Sequence, residues 1–161
     1  MDTDIEIQGW PDGNWTALTQ DAAKAAGRVA PELANPRLNV SLLFTTDAEV
    51  QALNREWRDK DKPTNVLSFP MLESAELRAL APDGPPELIG DIALAYETCA
   101  RETAEKGVQL ADHAAHLIVH GLLHLAGYDH ETSEADAIEM EEMETKALAI
   151  MGIADPYGDL A

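Results

Sequence analysis

The stretch ADHAAHLIVHGLLHLAGYDH, residues 111–130, decides how this chain folds. Over residues 111–126 its apolar side chains fall on nearly every side of a helical wheel, and a helix of that kind is normally buried. Gly127 follows at the position where a left-handed residue ends many helices. We therefore predict a long, central, buried helix that stops at Gly127.

Histidines lie along one strip of this predicted helix. An α-helix turns by about 100° per residue, so His120 and His124 are one turn apart and their imidazoles can reach one point. His130 follows the turn at Gly127 and leads back toward the strip. Several buried imidazoles are costly unless each has a partner, and three neutral nitrogen ligands with one open position suit a catalytic Zn²⁺. The spacing predicts a metal held by His120, His124 and His130.

The polar residues around these three histidines leave alternatives open. His116 lies on the same strip, as a packed core residue, an outer hydrogen-bond partner of a ligand, or a substrate contact at the pocket mouth. We expect His113 at the surface, near the start of the helix. Asp129 either orients a ligand imidazole through its outer nitrogen or caps the turn, and the turn is the favoured interpretation.

Gly121 separates this pattern from that of a zinc protease. The offsets of four and six residues match the HExxHxxGxxH motif of metzincin proteases, in which the glutamate is the general base. Gly121 stands where that glutamate would be, and it has no side chain to accept a proton. This argues against a conventional peptidase. A metal-dependent hydrolase of another substrate, a peptide included, stays as an alternative.

The rest of the chain predicts an α+β fold. Alternating or β-rich runs indicate four strands, at residues 4–8, 37–46, 62–70 and 87–97. Helical periodicity indicates helices at residues 16–33, 48–57, 98–107, 111–126 and 133–152. The last of these is expected to turn Met140, Met143, Ala147 and Ile150 inward. We predict a single domain over residues 1–161, with one mixed sheet of about four strands packed against four to five helices, and the strand order cannot be read.

Composition restricts the class of protein. The chain has 161 residues and 45% hydrophobic residues, as expected of a globular domain. It has a single cysteine and an acidic N-terminus without the features of a secretory signal, which favours a cytoplasmic protein. No apolar run is long enough for a membrane span, so no membrane partner is expected.

The formal charge of −19 argues at first against a nucleic-acid partner, because phosphate affinity comes from lysine and arginine. However, Arg58 lies at the end of a predicted helix, just before an extended run, and an arginine fork fits two phosphate oxygens at once. Lys60 and Lys62 follow it and would add phosphate contacts for a bound substrate. The alternative is a solvated charge cluster, since acidic residues alternate with these cations.

Three segments, in order, resemble the YbeY family of bacterial endoribonucleases. They are LNREWRDKDKPTNVLSFP at residues 53–70, LIGDIALA at 88–95 and HAAHLIVHGLLHLAGYDH at 113–130. The DPYG tail at 155–158 is also similar to the family. Trp57 stands where a tyrosine is frequent and Asn65 where an aspartate is frequent, and the segment between Phe69 and Leu88 is longer than in many relatives. In the second segment we expect Gly90 and Asp91 to let their strand pass close to the histidine helix, and simple packing is the alternative.

The resemblance implies a metal-dependent, single-strand-specific endoribonuclease that acts in 16S ribosomal RNA maturation and ribosome quality control. It implies one zinc ion, or another divalent transition metal, on His120, His124 and His130. It also implies Arg58 as the arginine on which nuclease activity depends. The implied partners are precursor 16S ribosomal RNA, the small ribosomal subunit, one of its proteins and a ribosome-assembly GTPase. The strongly negative charge predicts weak RNA binding and reliance on such a partner.

A different class of function stays open, that of a non-catalytic ribosome-assembly factor with a structural metal. Structural zinc sites normally close with four protein ligands. The sequence supplies three good ones, which favours an open, catalytic site.

Overall fold

A four-stranded mixed sheet organises the chain, whose residues 1–157 are described by a computed structural model. The strands are β1 (Asp2–Ile7), β2 (Leu38–Thr45), β3 (Val66–Pro70) and β4 (Glu87–Ala95). Their order across the sheet is β1-β2-β4-β3. β1 and β4 both run parallel to β2, whereas β3 is antiparallel to β4 and forms an edge. The predicted mixed sheet is confirmed, and its strand order is new information.

Six α-helices surround this sheet in the described part of the chain. They are α1 (Trp15–Val29), α2 (Asp47–Arg58), α3 (Ser74–Ala79), α4 (Tyr96–Lys106), α5 (Leu110–Leu125) and α6 (Glu134–Ile150), and a short 3₁₀ helix spans Pro31–Ala34. The five longer helices are those that the periodicity predicts. No helix within residues 1–157 has both the length and the apolar character needed to cross a membrane.

The short helix α3 was not predicted, because it lies in the connection that the sequence marks as a loop. Its first turn is held by a reciprocal pair of contacts, in which the Glu73 side chain accepts from a backbone N–H and Glu76 Oε1 accepts from Glu73 N at 3.1 Å. Such a box normally starts with serine or threonine, so a glutamate in that place gave no signal. Ser74 packs against the turn after α5, where a Cβ at Gly127 would lie 2.6 Å from Ser74 Cβ.

Helix α5 is the buried centre of the molecule, as its apolar pattern predicts. It packs on β3 and β4 and against α1, α4 and α6, and Ile118 and Leu122 are fully buried. Two glycines let the sheet approach it. A Cβ at Gly121 would lie 3.0 Å from Ile92 Cδ1, and one at Gly90 would lie 2.6 Å from both Leu125 Cδ2 and the Phe69 carbonyl oxygen. The predicted close passage is therefore confirmed for Gly90, whereas Asp91 lies on the face of β4 that points away from α5.

The opposite face of the sheet is covered by α2. Because strand residues alternate between faces, Leu67 and Ala95 turn away from α5 and form a small separate core with Val50 of α2. The helix begins at Thr46, whose hydroxyl accepts from Glu49 N at 3.3 Å. It ends at Asp59, which is left-handed with φ 56°. That turn makes Arg58 the last helical residue, at the rim of the sheet.

Beyond α5 the chain turns as the sequence predicts. Gly127 has a φ of 102°, a value that favours glycine. Asp129 Oδ1 then accepts from Glu131 N at 2.9 Å, which supports its role in the turn.

One prediction about α6 was wrong. Ile150 is 47% exposed, whereas Met140 and Ala147 are buried as expected.

Candidate active site

Two of the predicted metal ligands lie side by side on helix α5. His120 and His124 are one turn apart, and both are half-buried. His130 follows the turn after Gly127, and its side chain is 47% exposed. The centres of the His120 and His130 rings are 5.1 Å apart. The chain therefore brings all three imidazoles to one end of the buried helix.

The outer nitrogens of the two helical histidines already have oxygen partners. Ser68 Oγ lies 2.8 Å from His124 Nδ1, and Glu144 Oε1 lies 3.4 Å from His120 Nδ1. When Nδ1 carries the ring proton, it points to these oxygens and the lone pair is on Nε2. This is the arrangement that holds histidine ligands in metal sites, where the other ring N–H faces a carboxylate, carbonyl or similar group.

The donor set fits a zinc ion in its chemistry, because zinc takes neutral imidazole nitrogens and keeps an open position in catalytic sites. Within residues 1–157, however, no three histidine, cysteine, aspartate or glutamate side chains converge on one ready position. Two donors are fixed on the rigid helix and the third, His130, is carried by the turn. Completion of the set therefore depends on the placement of His130.

The charge state of His124 suits ligation. Burial lowers the pKa of His124 below its ordinary value. The positive charges of His120, Arg58 and His130 add to this shift, and the carboxylate of Asp129 opposes it. A lowered pKa favours the neutral imidazole, which is the form that binds a metal.

Glu144 is a buried carboxylate that the sequence analysis missed. Its side chain is 1% exposed, and Oε1 lies 2.6 Å from His116 Nε2 and 2.9 Å from the hydroxyl of Tyr157. Burial alone would raise the pKa of Glu144, but hydrogen bonds and charge from His116 and His120 hold it well below its usual range. The signal was its position, between Met140 and Ala147 on the inner face of an otherwise acidic helix.

His116 is buried and bonded to that carboxylate. Its Nε2 also lies 3.1 Å from the Tyr157 hydroxyl. Within the described residues His116 is thus hydrogen-bonded to Glu144 and Tyr157 and to none of the three candidate ligands, and a contact between His116 and substrate stays a prediction. Tyr157 belongs to the family-like tail, whose final Gly158 lies outside the described residues.

His113 was expected at the surface, and that prediction was wrong. The side chain is buried, and Nε2 lies 2.8 Å from Glu102 Oε1 on α4. Asn65 Nδ2 donates to the same carboxylate at 3.0 Å. The position close to the start of α5 suggested exposure, but α4 packs over that turn and supplies the partner that a buried imidazole needs.

The predicted phosphate-binding cations lie at the rim of the sheet. Arg58, Lys60 and Lys62 are all exposed, and within the described part of the chain none of them is in an ion pair with a carboxylate. By contrast, Arg55 Nη1 lies 3.7 Å from Asp61 Oδ1. The charge of Arg58 contributes to the lowered pKa of His124, so this exposed guanidinium lies close enough to His124 to act on it electrostatically.

An apolar groove of about 540 Å³ opens on the α2 side of the sheet. Leu43, Leu53, Phe69 and Met71 contribute apolar surface, and Trp57 forms one wall. The Trp57 side chain is 69% exposed and directly precedes Arg58 in α2. The carboxylate of Asp91 also lines this groove, on the face of β4 that points away from α5.

Comparison with known proteins shows similarity to one family along most of the chain. Residues 4–152 match the family described as Endoribonuclease YbeY. The chain is similar to a protein named endoribonuclease YbeY from Erythrobacter litoralis, at 65% identity over 159 residues, which are 99% of each chain. It is 60% identical over 150 residues to the protein of that name from Novosphingobium aromaticivorans, covering 92% of this chain and 90% of the other. It also resembles the solution structure of TM1509 from Thermotoga maritima, with 25% identity and a TM-score of 0.60 over 96% of this chain and 99% of the other.

Proposed function

This chain belongs to the YbeY family of endoribonucleases, and from that premise we propose that it is a metal-dependent endoribonuclease that cuts single-stranded RNA. One observation carries the proposal beyond the family name. The exposed guanidinium of Arg58, which is in no ion pair within residues 1–157, acts electrostatically on His124, and the outer nitrogens of His124 and His120 face Ser68 Oγ at 2.8 Å and Glu144 Oε1 at 3.4 Å. A cationic fork next to metal-binding nitrogens is suited to an anionic substrate such as a phosphodiester.

His120, His124 and His130 would hold one zinc ion through their imidazole nitrogens. When bound, zinc supplies Lewis acidity and lowers the pKa of a coordinated water to about 7. The helix keeps His120 and His124 in fixed register. His130, on the turn, would complete the set.

Arg58 would bind the phosphate at the cleavage point and stabilise the charge that develops on its oxygens. A guanidinium offers two parallel N–H donors to two phosphate oxygens, which fixes the orientation of the phosphate as well as its charge. Lys60 and Lys62 follow on the same exposed segment and would contact neighbouring phosphates of the RNA. Their contribution would be electrostatic and independent of base sequence.

The structure also bears on the peptidase alternative. Gly121 is buried, and a side chain there would meet Ile92. The space that the glutamate of a protease would need is therefore occupied by Ile92. A phosphodiester depends more on charge neutralisation than a peptide does. The combination of Gly121 and Arg58 therefore favours a phosphodiester over a peptide as substrate.

The groove beside Trp57 would receive bases of the bound strand. Exposed aromatic side chains stack on bases of single strands with little regard to sequence, and Trp57 is next to the proposed phosphate ligand. Bases are splayed out in single-stranded RNA but stacked inside a duplex, so such a groove favours single strands.

The natural substrate would be precursor 16S ribosomal RNA on the small ribosomal subunit. The net charge of −19 opposes tight binding of free RNA, because few cations are available to displace counterions. A ribosomal protein of that subunit and a ribosome-assembly GTPase would bring the enzyme to its target. Such targeting would compensate for weak intrinsic affinity.

A comparison of four purified proteins tests this function. We expect the wild type to cleave a labelled single-stranded RNA, and both His124→Ala and Arg58→Ala to lose cleavage while they remain folded. Arg55→Ala is the matched control, because Arg55 lies three residues earlier in α2 and is paired with Asp61; it should cleave like the wild type. Equal cleavage by all four would indicate a contaminant. No cleavage by the wild type, even with zinc and a ribosomal substrate, would favour the assembly-factor alternative.

A further inference from the structure

We propose that Glu144 is a positioning residue for His120, and that it holds this imidazole with its proton on Nδ1 and its lone pair on Nε2. The inference rests on the proposed metal site, and it assigns a role to helix α6 and the C-terminal tail. Helix α6 and the tail belong neither to the histidine motif nor to the basic segment at Arg58, Lys60 and Lys62. Glu144 lies 3.4 Å from His120 Nδ1 through Oε1.

A single oxygen of Glu144 is the meeting point of three groups. His116 Nε2 lies 2.6 Å from Oε1, the Tyr157 hydroxyl donates to it at 2.9 Å, and His120 Nδ1 approaches at 3.4 Å. His116 and His120 are one turn apart on α5, so the carboxylate spans two successive turns of the ligand helix. Tyr157 comes from the tail and approaches from outside. These contacts leave the carboxylate little freedom to rotate.

The environment of Glu144 differs from that of the other acidic residues on α6. Glu141 and Glu142 are exposed, whereas Glu144 is 1% exposed. A buried carboxylate is costly unless several donors satisfy it. If this position served only to pack the core, an apolar side chain would be enough, as at Met140 and Ala147 one turn away on either side. We therefore attribute the buried charge of Glu144 to the imidazoles that it faces.

The tautomer of His120 follows from this contact. A carboxylate accepts hydrogen bonds and does not donate them when ionised, so the Nδ1 atom 3.4 Å from Glu144 Oε1 is favoured as the protonated nitrogen. Nε2 is then free to donate its lone pair. In metal sites, such outer partners set ring orientation and basicity, and their loss costs about 10- to 100-fold in affinity. Glu144 would do for His120 what Ser68 does for His124.

The test compares the wild type with Glu144→Gln, which keeps the shape of the side chain but removes the charge. Glu142→Gln is the matched control, because Glu142 is exposed on the same helix. Zinc affinity is measured by competition with a chromophoric chelator, and the urea unfolding of each metal-free protein is measured in parallel. We expect Glu144→Gln to bind zinc about 10- to 100-fold more weakly, and Glu142→Gln to bind like the wild type.

A second readout requires no variant to fold. Long-range ¹H–¹⁵N spectra of the metal-free wild type, recorded above the titration range of histidine, report which nitrogen of His120 is protonated. Protonation on Nδ1 is expected. Protonation on Nε2, or a zinc affinity of Glu144→Gln equal to that of the wild type, would overturn the proposal. Neither measurement uses RNA, so a failure here is distinct from a failure of the nuclease function.

Discussion

Ser68 Oγ on the edge strand β3 lies 2.8 Å from Nδ1 of His124 on the buried helix α5. This contact ties the sheet to the candidate ligand. It also gives the short segment VLSFP a second role, because this strand supports the candidate metal site. Alternation along β3 turns Leu67 toward α2 and Ser68 toward α5. The strand therefore supplies the helix with an oxygen partner at the turn that carries His124.

Ser68→Ala should weaken metal binding more than it weakens the fold. Loss of one outer partner costs at least about tenfold in metal affinity, whereas loss of one hydrogen bond costs about 1 kcal/mol of unfolding free energy. Chelator competition and urea unfolding of the metal-free protein measure the two effects separately. Ser41→Ala, on strand β2, is the control for metal affinity. A Ser68→Ala protein that bound zinc like the wild type would show that His124 does not depend on this hydroxyl.

Trp57→Ala should raise the KM for single-stranded RNA with little effect on kcat. Stacking of one base on an aromatic side chain contributes about 1–3 kcal/mol, so we expect KM to rise roughly 5- to 150-fold. Trp57→Tyr should keep most of the affinity, because an aromatic face remains. Ile138→Ala removes another exposed apolar side chain, on α6, and serves as control. If Trp57→Ala and Ile138→Ala gave the same KM as the wild type, the groove would not receive bases.

Gly121→Glu should destabilise the protein strongly and create no peptidase. Gly121 is buried, and an added Cβ already lies 3.0 Å from Ile92 Cδ1. A glutamate would have to displace the core or bury an unpaired charge, at a cost of at least about 3 kcal/mol. Urea unfolding measures this loss. Ala111→Glu, at an exposed position of the same helix, should lie within about 0.5 kcal/mol of the wild type. A stable Gly121→Glu protein would mean that the core can open beside α5.

Much of this fold could be predicted because its signals are local. Apolar periodicity located the four strands and the five longer helices, and the i, i+4 spacing placed His120 and His124 on one face. Strand order depends on contacts between distant segments, so it left no local trace. Helix α3 was missed because its cap uses Glu73 rather than serine or threonine.

The residues that hold the candidate ligands in place were harder to predict than the ligands themselves. Ser68 lies in an ordinary strand, and Glu144 is one of many acidic residues on α6. Their roles come from three-dimensional packing against α5, which single-sequence patterns do not report. His113 shows the same limit, because only the position of α4 makes it a buried residue.

The His113–Glu102 pair should make stability depend on pH. Burial lowers the pKa of His113 below its ordinary value of 6.5, with help from the charges of Lys106 and His116 and against the opposing effect of Glu102. As pH falls below 6.5, the unfolded chain takes up a proton at His113 before the folded protein does. Stability contributed by this group is therefore lost as pH falls from 6.5 through the folded pKa.

Glu102 affects the stability of the folded protein in a lower pH range than His113 does. Burial alone would raise its pKa, but hydrogen bonds from His113 and Asn65 leave it below 4.5. Its contribution is thus present above about pH 4.5 and lost below it. The two effects can be separated, because only the first falls within the range between about pH 7.5 and about pH 5.5.

His113→Gln isolates the histidine effect. Glutamine can donate to Glu102 but does not titrate, and His124 and the other histidines are common to both proteins, so their contributions cancel in the difference. Urea unfolding at about pH 7.5 and about pH 5.5 gives the free energy of each protein. The wild type should lose more stability than His113→Gln between these two values. Equal losses would show that His113 has the same proton affinity in the folded and unfolded chains, and that its burial against α4 does not control acid stability.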